Sequence, residues 1–350
     1  MTPLSARAAA LRPYTAGEQP KDKRLIKLNT NENPYPPSPK AVAAARAFDF
    51  AALRLYPDPT ALELRKAIAA REGVSVENVF AGNGSDEVLS FAFYALFDAA
   101  VAYADVTYSF YPVYCRFYGI SDIILPLADG FTLDPADYIK KNYGGIVIAN
   151  PNAPTSLLCP RGFIEDVCKT NSCNVIVDEA YIDFAPPDSS AVPLINRYGN
   201  LLVVKTFSKS YSLAGIRCGY AIGAAHLIDA LFKVKDSFNS YPLDALCQTI
   251  AAAAVSDSVY FNAARQGVSA TRDKTASALK KSGFTVLDSA ANFLFVKSGK
   301  GLSGQKLYGD LRANGVLVRR FDAPRTADYI RVSVGSDADM ELFLAAISEI

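Results

Sequence analysis

The sequence predicts an α/β fold: a large domain with a mostly parallel central sheet, helices on both of its faces, and a smaller α+β domain. Two observations carry this expectation. From Val79 to Lys205, short apolar runs alternate with helical stretches, as parallel strands buried on both faces require. After Tyr241-Pro242 the texture changes to long alanine-rich helical stretches followed by short strand-like runs. The 350 residues, half of them hydrophobic, suffice for a sizeable core and two domains. The expected division is an N-terminal arm over 1–40, a large domain over 41–242 and a small domain over 243–350.

Taken in order, the arm contains Arg12-Pro13-Tyr14 and Asn31-Glu32-Asn33-Pro34-Tyr35-Pro36-Pro37, too much proline for a long helix. Helices follow over 41–48 and 60–72, the second with Thr60 as N-cap and Glu63 completing a capping box. Leu55-Tyr56-Pro57-Asp58-Pro59 turns between them. A strand at Val79-Phe80 leads to a helix over 85–96, and apolar runs at 101–103, 123–127, 145–149, 174–177 and 201–205 read as strands, with a helix over 161–169. The C-terminal part reads as helices over 243–255 and 258–281, strands over 284–287, 293–296, 316–319 and 329–334, and a last helix over 337–349. In parallel sheets the chemistry gathers beyond the carboxyl ends of the strands, and the polar motifs follow those runs.

Thirty-six basic residues against 35 acidic ones give no broad electrostatic reason to expect nucleic acid or an anionic membrane as partner. Met1-Thr2-Pro3-Leu4-Ser5-Ala6-Arg7 lacks a long apolar stretch, and no run approaches the roughly 18 apolar residues of a membrane span, so a soluble cytoplasmic protein is expected. The six cysteines form no C-x-x-C pair or zinc-ligand set and read as reduced thiols. His226 is the single histidine, read as a helix-start residue. A Ser-His-Asp triad or a multi-histidine metal site would rest on it alone, so no metal is expected. Proton transfer then falls to lysine, tyrosine or carboxylate.

Lys209 stands in Thr206-Phe207-Ser208-Lys209-Ser210-Tyr211-Ser212-Leu213-Ala214-Gly215-Ile216-Arg217, directly after an apolar strand. A lysine there can form a Schiff base with an aldehyde while neighbouring donors hold a phosphate, which suggests pyridoxal phosphate. Asp178 ends the preceding strand, 31 residues earlier, where a carboxylate can pair with a protonated pyridine nitrogen; an aspartate opening a helix has the same local pattern. Ala81-Gly82-Asn83-Gly84-Ser85-Asp86-Glu87 links a strand to a helix, fit for a phosphate at the free amides, although a glycine turn with a serine cap reads alike. It lacks the third glycine of a dinucleotide fingerprint and the Walker lysine, which favours a single phosphate. Arg217 could reach the same phosphate with Thr206 and Ser208, or stand on the surface. Arg331 interrupts an apolar strand pattern and Arg319 lies at a strand end; a buried arginine needs an anion, supplied by a substrate or an internal carboxylate.

Together these motifs resemble the fold-type I pyridoxal-phosphate aminotransferases, and within them the members acting on histidinol phosphate. The likeness runs through 12–20, 28–35, Tyr56-Pro57-Asp58, Gly82–Glu87, Asp178-Glu179-Ala180-Tyr181, Ser208-Lys209 and Arg331–Gly335, in order. It implies that Lys209 holds pyridoxal 5′-phosphate as a Schiff base, that Asp178 pairs with the pyridine nitrogen and that Tyr181 hydrogen-bonds the ring's phenolic oxygen. Tyr108 would stack on the ring; Gly84, Ser85, Asp86, Thr206, Ser208 and Arg217 would surround the phosphate. Tyr56 would reach the phosphate of the partner subunit in a homodimer. Arg319 and Arg331 would bind the phosphate of histidinol phosphate, and Tyr14 would help close the pocket.

One stretch departs from the family pattern. The chain reads Asn150-Pro151-Asn152-Ala153-Pro154-Thr155-Ser156, placing Ala153 where the resemblance expects an asparagine bonded to the ring oxygen; Asn152 is the available substitute. The resemblance implies ping-pong transamination of histidinol phosphate with 2-oxoglutarate, giving imidazole acetol phosphate and glutamate in histidine biosynthesis. A threonine-phosphate decarboxylase or a broad aromatic aminotransferase would share the scaffold. A non-catalytic pyridoxal-phosphate sensor would carry a DNA-binding module, and no basic helix-turn-helix segment precedes Leu28.

Overall fold

A computed structural model describes residues 4–15, 17–21, 24–299 and 301–350. Met1, Thr2 and Pro3 of the N-terminal reading, and Ala16 within the arm motif, lie outside the described residues. The arm enters the fold at β1 (Ile26–Lys27). The large sheet then takes β2 (Val79–Gly82), β3 (Val101–Ala104), β4 (Asp122–Leu125), β5 (Gly145–Ala149), β6 (Asn174–Asp178), β7 (Leu201–Thr206) and β8 (Gly219–Gly223). Its order is β2-β8-β7-β6-β5-β3-β4, parallel from β7 through β4, with β8 antiparallel to both β7 and β2.

Alternation along the central strands builds two cores. Val175, Val177, Val203 and Ile222 face one side with Leu64, Ile68, Ile164 and Ile250 of the covering helices. Ile176, Leu202, Val204 and Ala221 face the other with Val88, Leu89 and Leu231. β7 is buried at all six positions, which is why residues 201–204 form a continuous apolar run rather than an alternating one.

The C-terminal part holds β9 (Thr285–Val286), β10 (Phe293–Lys297), β11 (Val316–Leu317), β12 (Arg319–Arg320) and β13 (Tyr329–Ser333). Four of these form an antiparallel sheet in the order β12-β13-β10-β9. The expected strand over 316–319 is two: β11 pairs with β1 of the arm, and β12 turns into the small sheet. Arm and small sheet are thereby tied together.

Two local expectations are corrected. Thr60 is not an N-cap; the helix Leu62–Glu72 begins behind Ala61 at φ 48°, and Asp58 accepts from the Thr60 and Leu62 amides, each at 2.8 Å. An acceptor-only carboxylate can serve both amides, and Glu63 pairs with Lys66 instead of closing a box. The helix Tyr111–Tyr118, the strand β8 and the helix Ala225–Phe238 are elements the sequence reading did not mark; His226 does sit in the first turn of the last. Among the described residues no helix is long and apolar enough to cross a membrane.

Candidate active site

A cavity of about 420 Å³ opens beyond the carboxyl ends of β6 and β7, closed on its far side by the arm and the small sheet. Register explains why two residues 31 apart meet there: Asp178 of β6 lies opposite Val204 of parallel β7, and Lys209 follows five residues later. Asp178, Tyr181 and Lys209 all line the cavity, with Ser85, Asp86, Tyr108, Thr206, Ser208 and Arg217 at one end and Tyr14, Arg319 and Arg331 at the other.

Asp178 is buried without a basic partner among the described residues. Tyr111 Oη donates to its Oδ2 at 2.9 Å and the Ala180 amide to its Oδ1 at 3.2 Å. Burial pushes its carboxyl up to about 6, with those two hydrogen bonds pulling the other way. Lys209 Nζ donates to the Thr30 carbonyl at 3.1 Å. Burial first, and then the Arg331 guanidinium, bring its ammonium down to about 8 against the opposing carboxylates of Glu32 and Asp86. The lysine is thus within reach of its neutral, nucleophilic form near neutral pH.

The first of these ends is built on the helix Gly84–Leu96, whose first turn, like that of any helix, leaves amides without intrahelical partners. Arg217 packs across it, Nη2 on Asp86 Oδ2 at 3.2 Å and Nη1 on Ser208 Oγ at 3.4 Å. Gly84 does not line the cavity. It makes room for Arg217: an added Cβ would stand 2.5 Å from Nη2, and φ of +77° suits only glycine well. Asp86 accepts from Tyr108 Oη at 2.7 Å, so this carboxylate holds Tyr108 and Arg217.

At the other end Arg331 is half-buried, with Nη2 on the Asn29 carbonyl at 3.1 Å and its buried Nε without a hydrogen-bond partner among the described residues. Tyr14 contacts Phe110 at 4.5 Å between ring centroids, bridging the arm to the large sheet's side of the cavity.

Besides Gly84, two expected residues lie outside this cavity. Asn152 does not enter the cavity; its Nδ2 donates to the Val106 carbonyl and Thr155 Oγ1, and its Oδ1 accepts from Thr107. A carboxamide with three partners on that side has no reason to turn back, and Ala153 lines the cavity in its place. Tyr56 is 83% exposed and stacks on Tyr241 at 4.7 Å, outside its own chain's cavity. Conversely, sequence reading passed over Tyr111, on Asp178; Asn31, whose Nδ2 donates to Tyr181 Oη at 3.0 Å; and Asn33, whose Nδ2 donates to the Lys209 carbonyl at 2.9 Å. The Asn31-Glu32-Asn33 run was the available signal.

Residues 23–347 match the family model for class I and II aminotransferases. The histidinol-phosphate aminotransferase 2 of Dechloromonas aromatica is 50% identical over 346 residues, 97% of this chain and 96% of that protein. Its namesake in Rhizobium meliloti is 50% identical over 345 residues, 98% and 97% of the two chains. Among solved structures, the histidinol-phosphate aminotransferase of Clostridium acetobutylicum superposes with TM-score 0.85 at 25% identity, covering 93% of this chain and 98% of that one. That of Sinorhizobium meliloti, in complex with pyridoxal-5′-phosphate, gives TM-score 0.88 at 23% identity over 100% and 97%. The fold is that of the fold-type I enzymes.

Proposed function

The chain belongs to the class I and II aminotransferases, and on that premise we propose that it is a pyridoxal-phosphate enzyme of histidine biosynthesis, moving the amino group of histidinol phosphate to 2-oxoglutarate. The observation that carries this is the convergence on one cavity of a lysine whose ammonium is lowered to about 8, an aspartate with no basic partner among the described residues, and a half-buried arginine whose Nε lacks a partner among them.

The residues fit the cofactor. Asp178 is a buried carboxylate awaiting a positive partner, such as a protonated ring nitrogen. Ser85, Thr206, Ser208, Arg217 and the first amides of the helix Gly84–Leu96 would hold one phosphate. When bound, the cofactor supplies an aldehyde that condenses with amines and a ring that draws electrons from the substrate carbon. Lys209 attaches through its Nζ in the unprotonated form that its lowered proton affinity makes accessible and, once displaced by the substrate amine, takes and returns the proton at the substrate carbon. Tyr181 offers a hydroxyl to the ring oxygen, and Tyr108 a flat face. Arg319 and Arg331 take the substrate phosphate, two guanidiniums for one dianion, while Tyr14 narrows the entrance.

The site is completed by a second copy of the chain. The exposure of Tyr56, in a segment that also exposes Phe50, Leu53 and Leu55, suits a homodimer in which Tyr56 reaches the partner's phosphate. Sedimentation should give a dimer, and a fully active monomer would refute this arrangement. The cytoplasm, where thiols stay reduced, suits the six free cysteines.

The test adds histidinol phosphate, phenylalanine, aspartate or threonine phosphate to purified holoenzyme and follows the cofactor's visible absorption. A fast change with histidinol phosphate alone supports the assignment. Carbon dioxide released from threonine phosphate would make the protein a decarboxylase, and sustained turnover by Lys209→Ala would remove the lysine from its role.

A further inference from the structure

Tyr181 has one hydroxyl hydrogen to place, and its neighbours decide where it points. Asn31 Nδ2 donates to the phenol oxygen at 3.0 Å. On its other side the carboxamide oxygen, Oδ1, accepts from Ser333 Oγ at 3.2 Å, so the nitrogen is the atom turned toward the phenol. The backbone of Asn31 is held as well: its amide donates to Ser333 Oγ at 2.7 Å, and its carbonyl accepts from Asn292 Nδ2 at 2.9 Å. Its φ of +56° is a left-handed conformation that asparagine adopts more readily than most residues.

With one side of the phenol oxygen taken by an N–H donor, the phenol's own hydrogen is left for the cavity that both residues line. On another flank Ala153 packs with Ala291 and Phe293 against Tyr181 and brings no donor. Ser333 and Arg331 are two residues apart on β13 and so share a face. Arg331 grips the Asn29 carbonyl while Ser333 grips Asn31, so the segment 29–31 is laid along the strand that carries the substrate arginine.

We propose that Asn31 is a positioning residue: it turns the Tyr181 hydroxyl into the cavity, toward the ring oxygen of the cofactor, from a segment clamped to the Arg331 strand. This rests on the assignment above, in which Lys209 holds the cofactor beside Tyr181. A hydroxyl donated to the ring oxygen stabilises the form with more negative charge there. It therefore lowers the pH at which the bound cofactor gives up its proton.

The experiment titrates the visible absorption of the resting holoenzyme against pH in the parent, Asn31→Asp, Asn31→Ala, Tyr181→Phe and the Asn31→Asp/Tyr181→Phe double variant. Asn31→Asp keeps size and backbone preference but replaces the N–H by an acceptor that recaptures the phenol's hydrogen. Its midpoint should rise as far as that of Tyr181→Phe, by about one unit or tenfold in the equilibrium. Asn31→Ala should rise less. In the double variant the midpoint should equal that of Tyr181→Phe, since Asn31 acts through the phenol. An unmoved midpoint in Asn31→Asp overturns the proposal, and so does a full further shift in the Tyr181→Phe background, which would mean direct action of charge. Should Asn31→Asp lose its fold by circular dichroism, Ser333→Ala, which frees the carboxamide to rotate, takes its place with an intermediate rise expected and an unmoved midpoint overturning. If Lys209→Ala kept the parent's spectrum and titration, the underlying assignment would fail instead.

Discussion

Replacing Arg331 by glutamine should move the pH at which Lys209 captures its cofactor. With its ammonium held near 8, Lys209 is neutral in about one molecule in ten at pH 7, against about one in three thousand for a lysine at 10.5. That is roughly a 300-fold gain in the nucleophilic form. The rate of cofactor capture should therefore climb about tenfold per unit below pH 8 and flatten above it. Burial is the larger cause of the depression and survives in Arg331→Gln; the guanidinium, the next cause, does not. The bend in the profile should then shift upward by roughly half to one unit. Stopped-flow absorbance after mixing cofactor with cofactor-free protein, from pH 6.5 to 9.5 in ~0.5 unit steps, measures it. The cofactor's own titrations are common to both proteins and cancel in the comparison. An unmoved bend, or one that moves down, would refute the electrostatic account of Lys209.

Asp178→Asn should nearly abolish transamination, by about 10²–10³-fold, because the ring loses its counter-charge. The same change should stabilise the cofactor-free protein at pH 7.5. Its acid is raised from 3.8 to about 6, so the native state binds the proton more tightly, and stability falls as pH rises between those values. The full penalty, about 3 kcal/mol, applies above pH 6 and vanishes below pH 4, as paired urea titrations followed by circular dichroism would show. Gly84→Ala should displace Arg217 and add left-handed strain of about 1 kcal/mol or more, weakening cofactor retention at least tenfold in equilibrium dialysis. Arg319→Ala should raise KM for a phosphorylated amine with little change in its unphosphorylated analogue; equal effects on both would detach Arg319 from the phosphate.

The parts of this fold legible in the sequence were those whose burial is uniform. β5, β6 and β7 carry unbroken apolar stretches at 146–149, 175–177 and 201–204 because helices cover both faces, and the polar residues at and beyond their ends stand out by contrast. β8 was illegible: a five-residue strand with a glycine at each end, close after the Lys209 loop. Those glycines have a packing cause that no local pattern displays, since a Cβ on Gly219 would lie 2.4 Å from the Ser85 amide. The helix Tyr111–Tyr118 hid behind an aromatic run with proline at its second position. Lys209 and Asp178 were found because each follows a strand of the same sheet. Tyr111 and Asn31 were not, because they reach the site from 67 and 150 residues away through side-chain hydrogen bonds that leave no periodicity.

The cavity's charges also pull in opposite directions, and this bears on how one lysine could serve two tasks. Arg331 and Arg217 lower the proton affinity of Lys209, whereas Glu32 and Asp86 raise it. Before an anion binds, the arginines keep the amine closer to neutral, the form that attaches to an aldehyde. A phosphate on Arg331 offsets that guanidinium as felt at Lys209, so the amine holds a proton more strongly once the substrate has arrived. Attachment asks for a nucleophile and proton transfer asks for a base, and the same arginine therefore favours the first when bare and the second when covered. Burial, the larger cause of the depression, is common to both states and limits the swing, so the lysine stays within reach of neutral pH throughout.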